Sequence, residues 1–167
     1  MRVTLLMAMT LDGRIGRSPD HFPDWTGSAD KRLFATRSRE AGVMIMGSKT
    51  FDTIGRPLPG RKTVVMTRDP SRISKWDNLV FTSRPPAEIL SGLEAEGYTE
   101  AILAGGAMVN SRFAEDGLID TLVVTISPKI FGYGLSLFTE EISMELSLES
   151  VERMEGGLVC LTYRVER

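Results

Sequence analysis

The sequence has one cysteine, Cys160, and one histidine, His21. A single cysteine excludes a disulfide within the chain, and the two residues together are too few for a structural zinc site, which takes four such ligands. No apolar run approaches the ~20 residues of a membrane helix. The apolar start lacks a small-residue cleavage site and runs straight into Asp12-Gly13-Arg14. We therefore expect a cytoplasmic protein without a signal peptide or a membrane partner.

The chain also has little excess charge, with 20 Lys+Arg against 22 Asp+Glu. This balance provides no overall attraction for nucleic acid, and none is expected as a partner. The 167 residues are 42% hydrophobic and show no repeat, low-complexity stretch or linker. Length and composition therefore predict a single globular domain spanning residues 1–167.

Short apolar runs alternate with helical patterns along the chain. Strands are predicted at Val3–Met9, Val43–Met46, Lys62–Thr67, Asn78–Thr82, Glu100–Ala104, Ile119–Ser127, Glu145–Arg153 and Leu158–Val165. Helices are predicted at Ser28–Arg39, Lys49–Ile54, Ala87–Glu96 and Ala107–Glu115. This alternation predicts an α/β fold of three layers, with helices on both faces of a mostly parallel sheet of about eight strands. Glu155-Gly156-Gly157 predicts an antiparallel C-terminal hairpin.

One motif only partly matches a phosphate-binding loop. Gly42 to Thr50 resembles G-x-x-x-x-G-K-[ST], but one extra residue separates the second glycine from the lysine, and the intervening residues are strand-like. A nucleoside triphosphatase is therefore rejected. The remaining feature, Gly47-Ser48-Lys49-Thr50, follows a predicted strand and opens a helix. It is either an anion site at a helix N-terminus or an ordinary strand-to-helix turn.

Three further features lie in loops. Gly55-Arg56-Pro57-Leu58-Pro59-Gly60-Arg61 holds two arginines on a rigid loop, which serves either anion binding or a stiff surface connection. Gly105-Gly106 and Thr67-Arg68 each follow a predicted strand, where open α/β sheets bind ligands. The glycine pair permits close approach of a cofactor or forms a tight turn, and Arg68 binds a 2′-phosphate or is simply exposed.

Asp30 lies in the first turn of the first predicted helix, four residues before Phe34, so both share one face. A carboxylate beside an aromatic ring in a cleft is a candidate proton-handling group. The alternative is an exposed carboxylate that favours the helix dipole.

Together these motifs resemble the dihydrofolate reductase superfamily, which includes the RibD C-terminal reductase domain of riboflavin biosynthesis. Met46 to Thr50 and Ile54 to Lys62 are similar to dihydrofolate reductases. The riboflavin branch is matched by Met9 to Ile15, Trp25-Thr26-Gly27, Gly105-Gly106, Gly117 to Asp120, and Ile126 to Phe138. The resemblance extends from about Val3 to Phe138 and implies the three-layer dihydrofolate reductase-like fold.

The resemblance implies NADPH as cofactor and assigns roles residue by residue. Asp30 would be the catalytic acid that orients the substrate, supported by Thr125. The other substrate contacts would be Ala8, Phe34, Ile54 and Arg61. The cofactor would contact Ala8, Ile15, Gly16, Gly47, Ser48, Lys49, Thr50, Thr67, Arg68, Ala104, Gly105, Gly106, Ala107 and Met108, with a cis bond in the glycine pair. No metal is implied, and the riboflavin branch suggests a homodimer.

The resemblance leaves the small-molecule substrate open between two branches. Lys31, Asn110 and the Gly132-x-Gly134 turn depart from the folate pattern, whereas an acid at the position of Asp30 is unusual in the riboflavin branch. The better match of the second half favours 5-amino-6-(5-phosphoribosylamino)uracil reductase. Dihydrofolate reductase is the alternative, and a non-catalytic NADP-binding module is the alternative of another class. Gly13 to Gly27 is a candidate lid over the cofactor.

Overall fold

The computed structural model describes all 167 residues and has one eight-stranded sheet. The strands are β1 (Arg2–Thr10), β2 (Val43–Gly47), β3 (Lys62–Met66), β4 (Leu79–Thr82), β5 (Glu100–Leu103), β6 (Thr121–Ser127), β7 (Leu146–Met154) and β8 (Leu158–Val165). The helices are α1 (Ser28–Ala41), α2 (Ser48–Ile54), α3 (Pro86–Ala95) and α4 (Ala107–Glu115). Every predicted element is present, which confirms the predicted fold class.

The strand order across the sheet is β4-β3-β2-β5-β1-β6-β8-β7. The pairs from β4 to β6 are all parallel, so the carboxyl ends of these six strands lie along one edge. β8 is antiparallel to both β6 and β7, which confirms the predicted C-terminal hairpin. From β1 the chain adds β2, β3 and β4 on one side of the sheet, and it then returns through β5 to place β6 on the other side of β1. The order of the strands therefore reverses next to β1. Open α/β sheets bind their ligands at such a point.

Alternate residues of the central strands enter two separate hydrophobic cores. In β2, Val43 and Ile45 pack with α3 and α4, whereas Met44 and Met46 pack on the opposite face with Phe51 of α2. Side chains alternate between faces along a strand, so a strand covered on both sides must be apolar throughout. The uninterrupted run Val43–Met46 thus follows from its central position.

Glycines set the ends of two helices. Gly42 and Gly55 adopt left-handed conformations, with φ of 76° and 78°, at the C-caps of α1 and α2. The backbone N–H of Gly42 donates to Arg39 O, which closes the last turn two residues beyond the predicted end of α1. No helix in the structure combines the length and apolar character needed to cross a bilayer.

Candidate active site

The predicted site residues cluster at the carboxyl edge of the parallel strands. Ala8 lies near the end of β1, Gly47 ends β2, Thr67 follows β3, Ala104 follows β5 and Thr125 lies near the end of β6. Five separate strands therefore deliver one candidate residue each to the same edge. Because this proximity depends on the strand order, no single sequence motif predicts it.

Two glycine turns meet at the centre of this edge. The backbone N–H of Gly47 donates to the carbonyl of Gly105 at 2.8 Å. The Gly105–Gly106 peptide bond is cis, as the family resemblance implied. A Cβ on Gly47 would lie 3.1 Å from Val109, and one on Gly106 would lie 3.3 Å from the hydroxyl of Thr50. Side chains at either position would fill the space between the two turns.

Backbone N–H groups border this space on two sides. Gly106 caps α4 without a side-chain hydrogen bond, and Ala107 and Met108 form the first turn of the helix. Ser48, Lys49 and Thr50 begin α2 directly across from them. Free N–H groups at the start of a helix carry partial positive charge and favour an anion. The donor set and the glycine-lined space fit a dinucleotide pyrophosphate.

Thr67 and Arg68 lie at the next strand end. The Thr67 N–H donates to Thr82 O, and its hydroxyl accepts from the Asp69 N–H at 3.1 Å. This local turn leaves Arg68 exposed and without an ion-pair partner in the chain. An unpaired guanidinium just after β3, the strand that pairs with β2 up to Gly47, is suited to a phosphate group.

Asp30 is the one partly buried acid at this edge whose pKa is raised, and burial is the main cause. The hydroxyls of Thr26 and Thr125 and the charge of Lys31 oppose the increase in pKa. Neither hydroxyl closes a regular hydrogen bond, because Thr26 donates to Pro23 O at 3.4 Å and buried Thr125 Oγ1 has no partner. The site thus contains a carboxyl that holds its proton to higher pH than usual, with an unused hydroxyl beside it.

Residues from three neighbouring strands lie close to this carboxyl. Ala8, Thr125 and Cys160 lie in one row across β1, β6 and β8. Cys160 is buried, and its thiol pKa is raised by burial first and by nearby carboxylates including Asp30. In the sequence, Cys160 stood out only as the single cysteine, and Thr26 only as part of the Trp25-Thr26-Gly27 motif. The sequence alone did not predict that these residues lie near Asp30, because their proximity depends on the strand pairing and on the path of the loop before α1.

The other predicted substrate contacts lie on α1, at the end of α2 and just before β3. Phe34 and Ile54 are partly buried and pack on the core of the same face. Arg61 is 94% buried and donates from Nε to Pro59 O and from Nη1 to Ala35 O and Ser38 Oγ. Ser38 follows Asp30 by eight residues, so about 12 Å of helix separates them.

Arg61 is buried without an acidic partner. Burial and the nearby charge of Arg39 both lower its pKa. Its Nη2 makes no hydrogen bond to the protein. A half-satisfied guanidinium next to a second arginine has the chemistry to bind an anionic group.

Ile15 and Gly16 belong to a loop that the segment after β6 holds in place. Ile15 N–H donates to Leu135 O at 2.9 Å, and Leu135 N–H donates to Gly16 O at 2.8 Å. Asp12 accepts from the backbone of Phe131 and Gly132, and its pKa is lowered to about 2, chiefly by the Thr10 hydroxyl. Two of the predicted cofactor contacts, Ile15 and Gly16, are therefore held in place just after the end of β1.

Comparison with known proteins places these features in a family context. A dihydrofolate reductase type 3 from Salmonella typhimurium is 32% identical over 108 residues, covering 65% of this chain and 62% of the relative. That match spans less than two thirds of the relative's own length.

Two solved structures share the fold at low identity. A candidate riboflavin biosynthesis protein from Shewanella sp. PV-4 superposes with a TM-score of 0.86 at 23% identity, with 100% of both chains covered. A dihydrofolate reductase from Enterococcus faecalis in complex with NADP(H) superposes with a TM-score of 0.74 at 21% identity, covering 99% and 97%. The model of the RibD C-terminal domain family matches residues 1–160, and the chain therefore belongs to that family.

Proposed function

We propose that this protein is an NADPH-dependent oxidoreductase that reduces a small pyrimidine or pterin heterocycle. The observation that carries the proposal is the half-buried carboxyl of Asp30, with its raised pKa, at the same sheet edge as the two glycine turns. Perturbed carboxyls in clefts are typical of sites that orient a substrate or handle a proton. Membership of the RibD C-terminal domain family supports the same class of reaction.

NADPH would lie across the carboxyl edge and, when bound, supplies the hydride. Ala104, Gly105, Gly106, Ala107 and Met108 would hold one side of the pyrophosphate, and Gly47, Ser48, Lys49 and Thr50 the other. Thr67 and Arg68 would hold the 2′-phosphate, and Ala8, Ile15 and Gly16 would flank the nicotinamide. The protein thus contributes position and electrostatics to chemistry that belongs to the cofactor.

Asp30 would accept a hydrogen bond from a ring N–H of the substrate and so fix the ring against the nicotinamide position. A carboxylate there also raises the basicity of the ring nitrogen that must gain a proton. A water molecule would deliver that proton. Thr125, whose buried hydroxyl has no other partner, would hold the Asp30 carboxyl in place.

The substrate we favour is 5-amino-6-(5-phosphoribosylamino)uracil, because the family match covers residues 1–160. Its ring would lie at Asp30 between Phe34 and Ile54, and its phosphate would extend towards Arg61 and Arg39. Dihydrofolate is the second candidate. The acid at position 30 and the 12 Å of α1 between Asp30 and Ser38 favour a ring with a distant carboxylate.

The direct test measures NADPH oxidation with each substrate in turn. We expect turnover with one of them, and Asp30→Asn should lower kcat by about 10²-fold or more while the NADPH Kd is unchanged. Asp77→Asn, an exposed acid elsewhere on the surface, is the matched control and should keep full activity.

Each of the other possible results would show which assignment is wrong: the substrate, the cofactor or Asp30. NADPH binding without oxidation of either substrate would contradict both substrate assignments and favour a non-catalytic NADP-binding module. Failure to bind NADPH would overturn the cofactor assignment itself. Equal turnover by wild type and Asp30→Asn would remove Asp30 from the mechanism.

A further inference from the structure

Two consecutive buried side chains of α4 hold the segment that follows β6. Asn110 and Ser111 are 0% and 1% exposed. The Asn110 amide donates from Nδ2 to Leu137 O at 2.9 Å. The Ser111 hydroxyl accepts from the backbone N–H groups of Thr139 and Glu140 at 2.9 and 3.3 Å. Neither side chain is among the residues assigned above to the cofactor or the substrate.

Asn110 belongs to the same helical turn as the proposed pyrophosphate contacts. Its backbone N–H donates to Gly106 O at 3.0 Å, which closes the first turn of α4. Its Oδ1 lies 4.0 Å from the position that a Cβ on Gly105 would occupy. The amide therefore lies beside the glycine turn at one end and bonds to Leu137 at the other.

Leu137 lies two residues after the contact that holds the loop beyond β1. Leu135 accepts the Ile15 N–H at 2.9 Å and donates its own N–H to Gly16 O at 2.8 Å. Two residues of chain span at most about 7 Å, so a displacement of Leu137 is passed on to Leu135. The Asn110 amide thus links α4 to the loop that carries the predicted contacts on the nicotinamide side.

Asn110 makes this link at a cost in stability. Its Oδ1 is buried and has no hydrogen-bond partner. A buried acceptor without a donor costs free energy, and an apolar side chain of similar shape would avoid that cost. A residue that lowers stability in this way is expected to serve the site.

We propose that Asn110 is a positioning residue that sets the nicotinamide side of the NADPH site relative to the pyrophosphate side. It acts through Leu137 and Leu135 on the loop of Ile15 and Gly16, and it does not itself touch the cofactor. Because one ligand spans both sides, a loop that is already in place reduces the cost of ordering on binding. This inference rests on the proposed NADPH-dependent function.

The test compares a ligand that spans both sides with a fragment that spans one. NADPH would occupy both sides, whereas adenosine 2′,5′-bisphosphate lacks the nicotinamide half. Asn110→Leu removes the amide at nearly constant volume. We expect it to raise the NADPH Kd about tenfold and to leave the Kd of the fragment unchanged, both measured by isothermal titration calorimetry. Asn110→Ala should change the ratio of the two Kd values in the same way, so the test survives if one variant fails to fold.

Ser111→Ala is the matched control, because it removes the neighbouring buried bonds to the same segment. It should lower the melting temperature and leave both Kd values unchanged. A purely structural role for α4 would instead make the two positions behave alike.

Amide hydrogen exchange without ligand locates the effect of each variant. Asn110→Leu should accelerate exchange at Ile15 and Leu135. Ser111→Ala should accelerate exchange at Thr139 and Glu140, whose N–H groups it releases.

Two results would overturn the role of Asn110. Equal weakening of NADPH and the fragment by the Asn110 variants would assign the residue to the pyrophosphate side or to the fold. Unchanged exchange at Ile15 and Leu135 would show that the bond to Leu137 does not reach the loop. A wild type that does not bind NADPH would overturn the proposed function itself, whereas wild-type binding with an unchanged ratio in the variants overturns only the role of Asn110.

Discussion

The position of Asp30 places its carboxyl in the candidate site, but burial of this charge costs folding stability. Its position at the start of α1 brings the carboxyl to the sheet edge, where burial raises its pKa from the ordinary 3.8. A buried carboxylate is costly unless it is paired, and here no cation forms an ion pair with it. Such a residue is expected to reduce stability in exchange for a role in the site.

Asp30→Asn should therefore stabilise the fold at neutral pH. Because the folded-state pKa is raised, the cost of the charge is fully present above that pKa and disappears as the pH falls below the unfolded value near 3.8. We expect a melting temperature higher by roughly 2–4 °C at pH 7, which corresponds to about 1 kcal/mol. The difference from wild type should vanish towards pH 4.

The control for this measurement is Asp77→Asn, which exchanges an exposed acid and should leave the melting temperature unchanged. A lower melting temperature for Asp30→Asn at pH 7 would show that the Thr26 and Thr125 hydroxyls more than offset the cost of burial.

Arg68 is the residue expected to choose between the two nicotinamide cofactors. It is exposed, unpaired and just after β3, so its removal should affect only the proposed contact with a 2′-phosphate. Arg68→Gln should raise the NADPH Kd about tenfold and leave the NADH Kd unchanged, as measured by titration of each cofactor.

Arg84→Gln removes another exposed arginine close to the end of β4 and is the matched control. Equal weakening of NADPH and NADH by Arg68→Gln would assign the residue to the pyrophosphate or to the fold rather than to the 2′-phosphate.

Single residues also show how far a sequence can be interpreted. The spacing of Asp30 and Phe34 on one helix face was predictable because helical geometry is local. The row formed by Ala8, Thr125 and Cys160 was not, because it depends on the register between strands far apart in the chain. A substrate contact at Arg61 is implied only by the family resemblance and stays a prediction, and the bonds from Arg61 to α1 required the three-dimensional structure.

The elements around the site differ in how they are held. The loop after β1 is joined to the segment after β6 by an isolated bridge between Gly16 and Leu135. Arg14 also donates to Gly134 O and Ser136 Oγ across the same gap. Residues from Ser18 to Asp24 are mostly exposed and make few such bonds. The candidate lid is thus held by these bonds at its start, is exposed in its middle, and is buried again at Trp25 and Thr26.

Gly134→Ala should loosen this junction. Gly134 has a φ of 131°, and a Cβ there would collide with the backbone of Gly16. The bridge must then open, so we expect faster amide hydrogen exchange at Ile15 and Leu135 and a melting temperature lower by several degrees.

Gly132→Ala is the control that distinguishes the effect of a steric collision from the effect of backbone strain alone. Gly132 also has a positive φ, of 75°, but a Cβ would meet nothing within 4 Å. It should cost about 1 kcal/mol and leave exchange at Ile15 unchanged. Similar exchange rates in the two variants would show that the bridge does not hold the loop.

Helix boundaries next to a glycine or proline were predicted to within one or two residues. The end of α2 at Ile54, before Gly55, agrees with the prediction, whereas α1 ends before Gly42 two residues later than predicted and α3 begins at Pro86 one residue earlier. The start of β6 was predicted two residues early, at Ile119. Ile119 is buried and apolar, so its residue type favours a strand, yet it precedes Asp120, whose carboxylate accepts the Val3 N–H at 2.7 Å. The local sequence does not predict a hydrogen bond between a side chain and a backbone group that is distant in the chain.

At the scale of the whole molecule, two cores sandwich one sheet and the candidate site occupies one edge. The cores involve strands, α3 and α4 on one face and α1 and α2 on the other. The proposed cofactor site draws on the ends of β1, β2, β3 and β5 together. A ligand bound there contacts elements of both layers, so its binding energy should stabilise the fold as a unit.

Saturating NADPH should therefore raise the melting temperature of the whole chain in one cooperative transition. At 100 times its Kd, a ligand that binds only the folded state adds about 2.7 kcal/mol, which corresponds to roughly 5–10 °C for a chain of this size. NADH at the same concentration should give a smaller shift, and Arg68→Gln should abolish the difference between the two cofactors. A transition that splits into two on adding NADPH would show that the two layers unfold separately. Equal shifts with both cofactors in the wild type would contradict the assignment of Arg68.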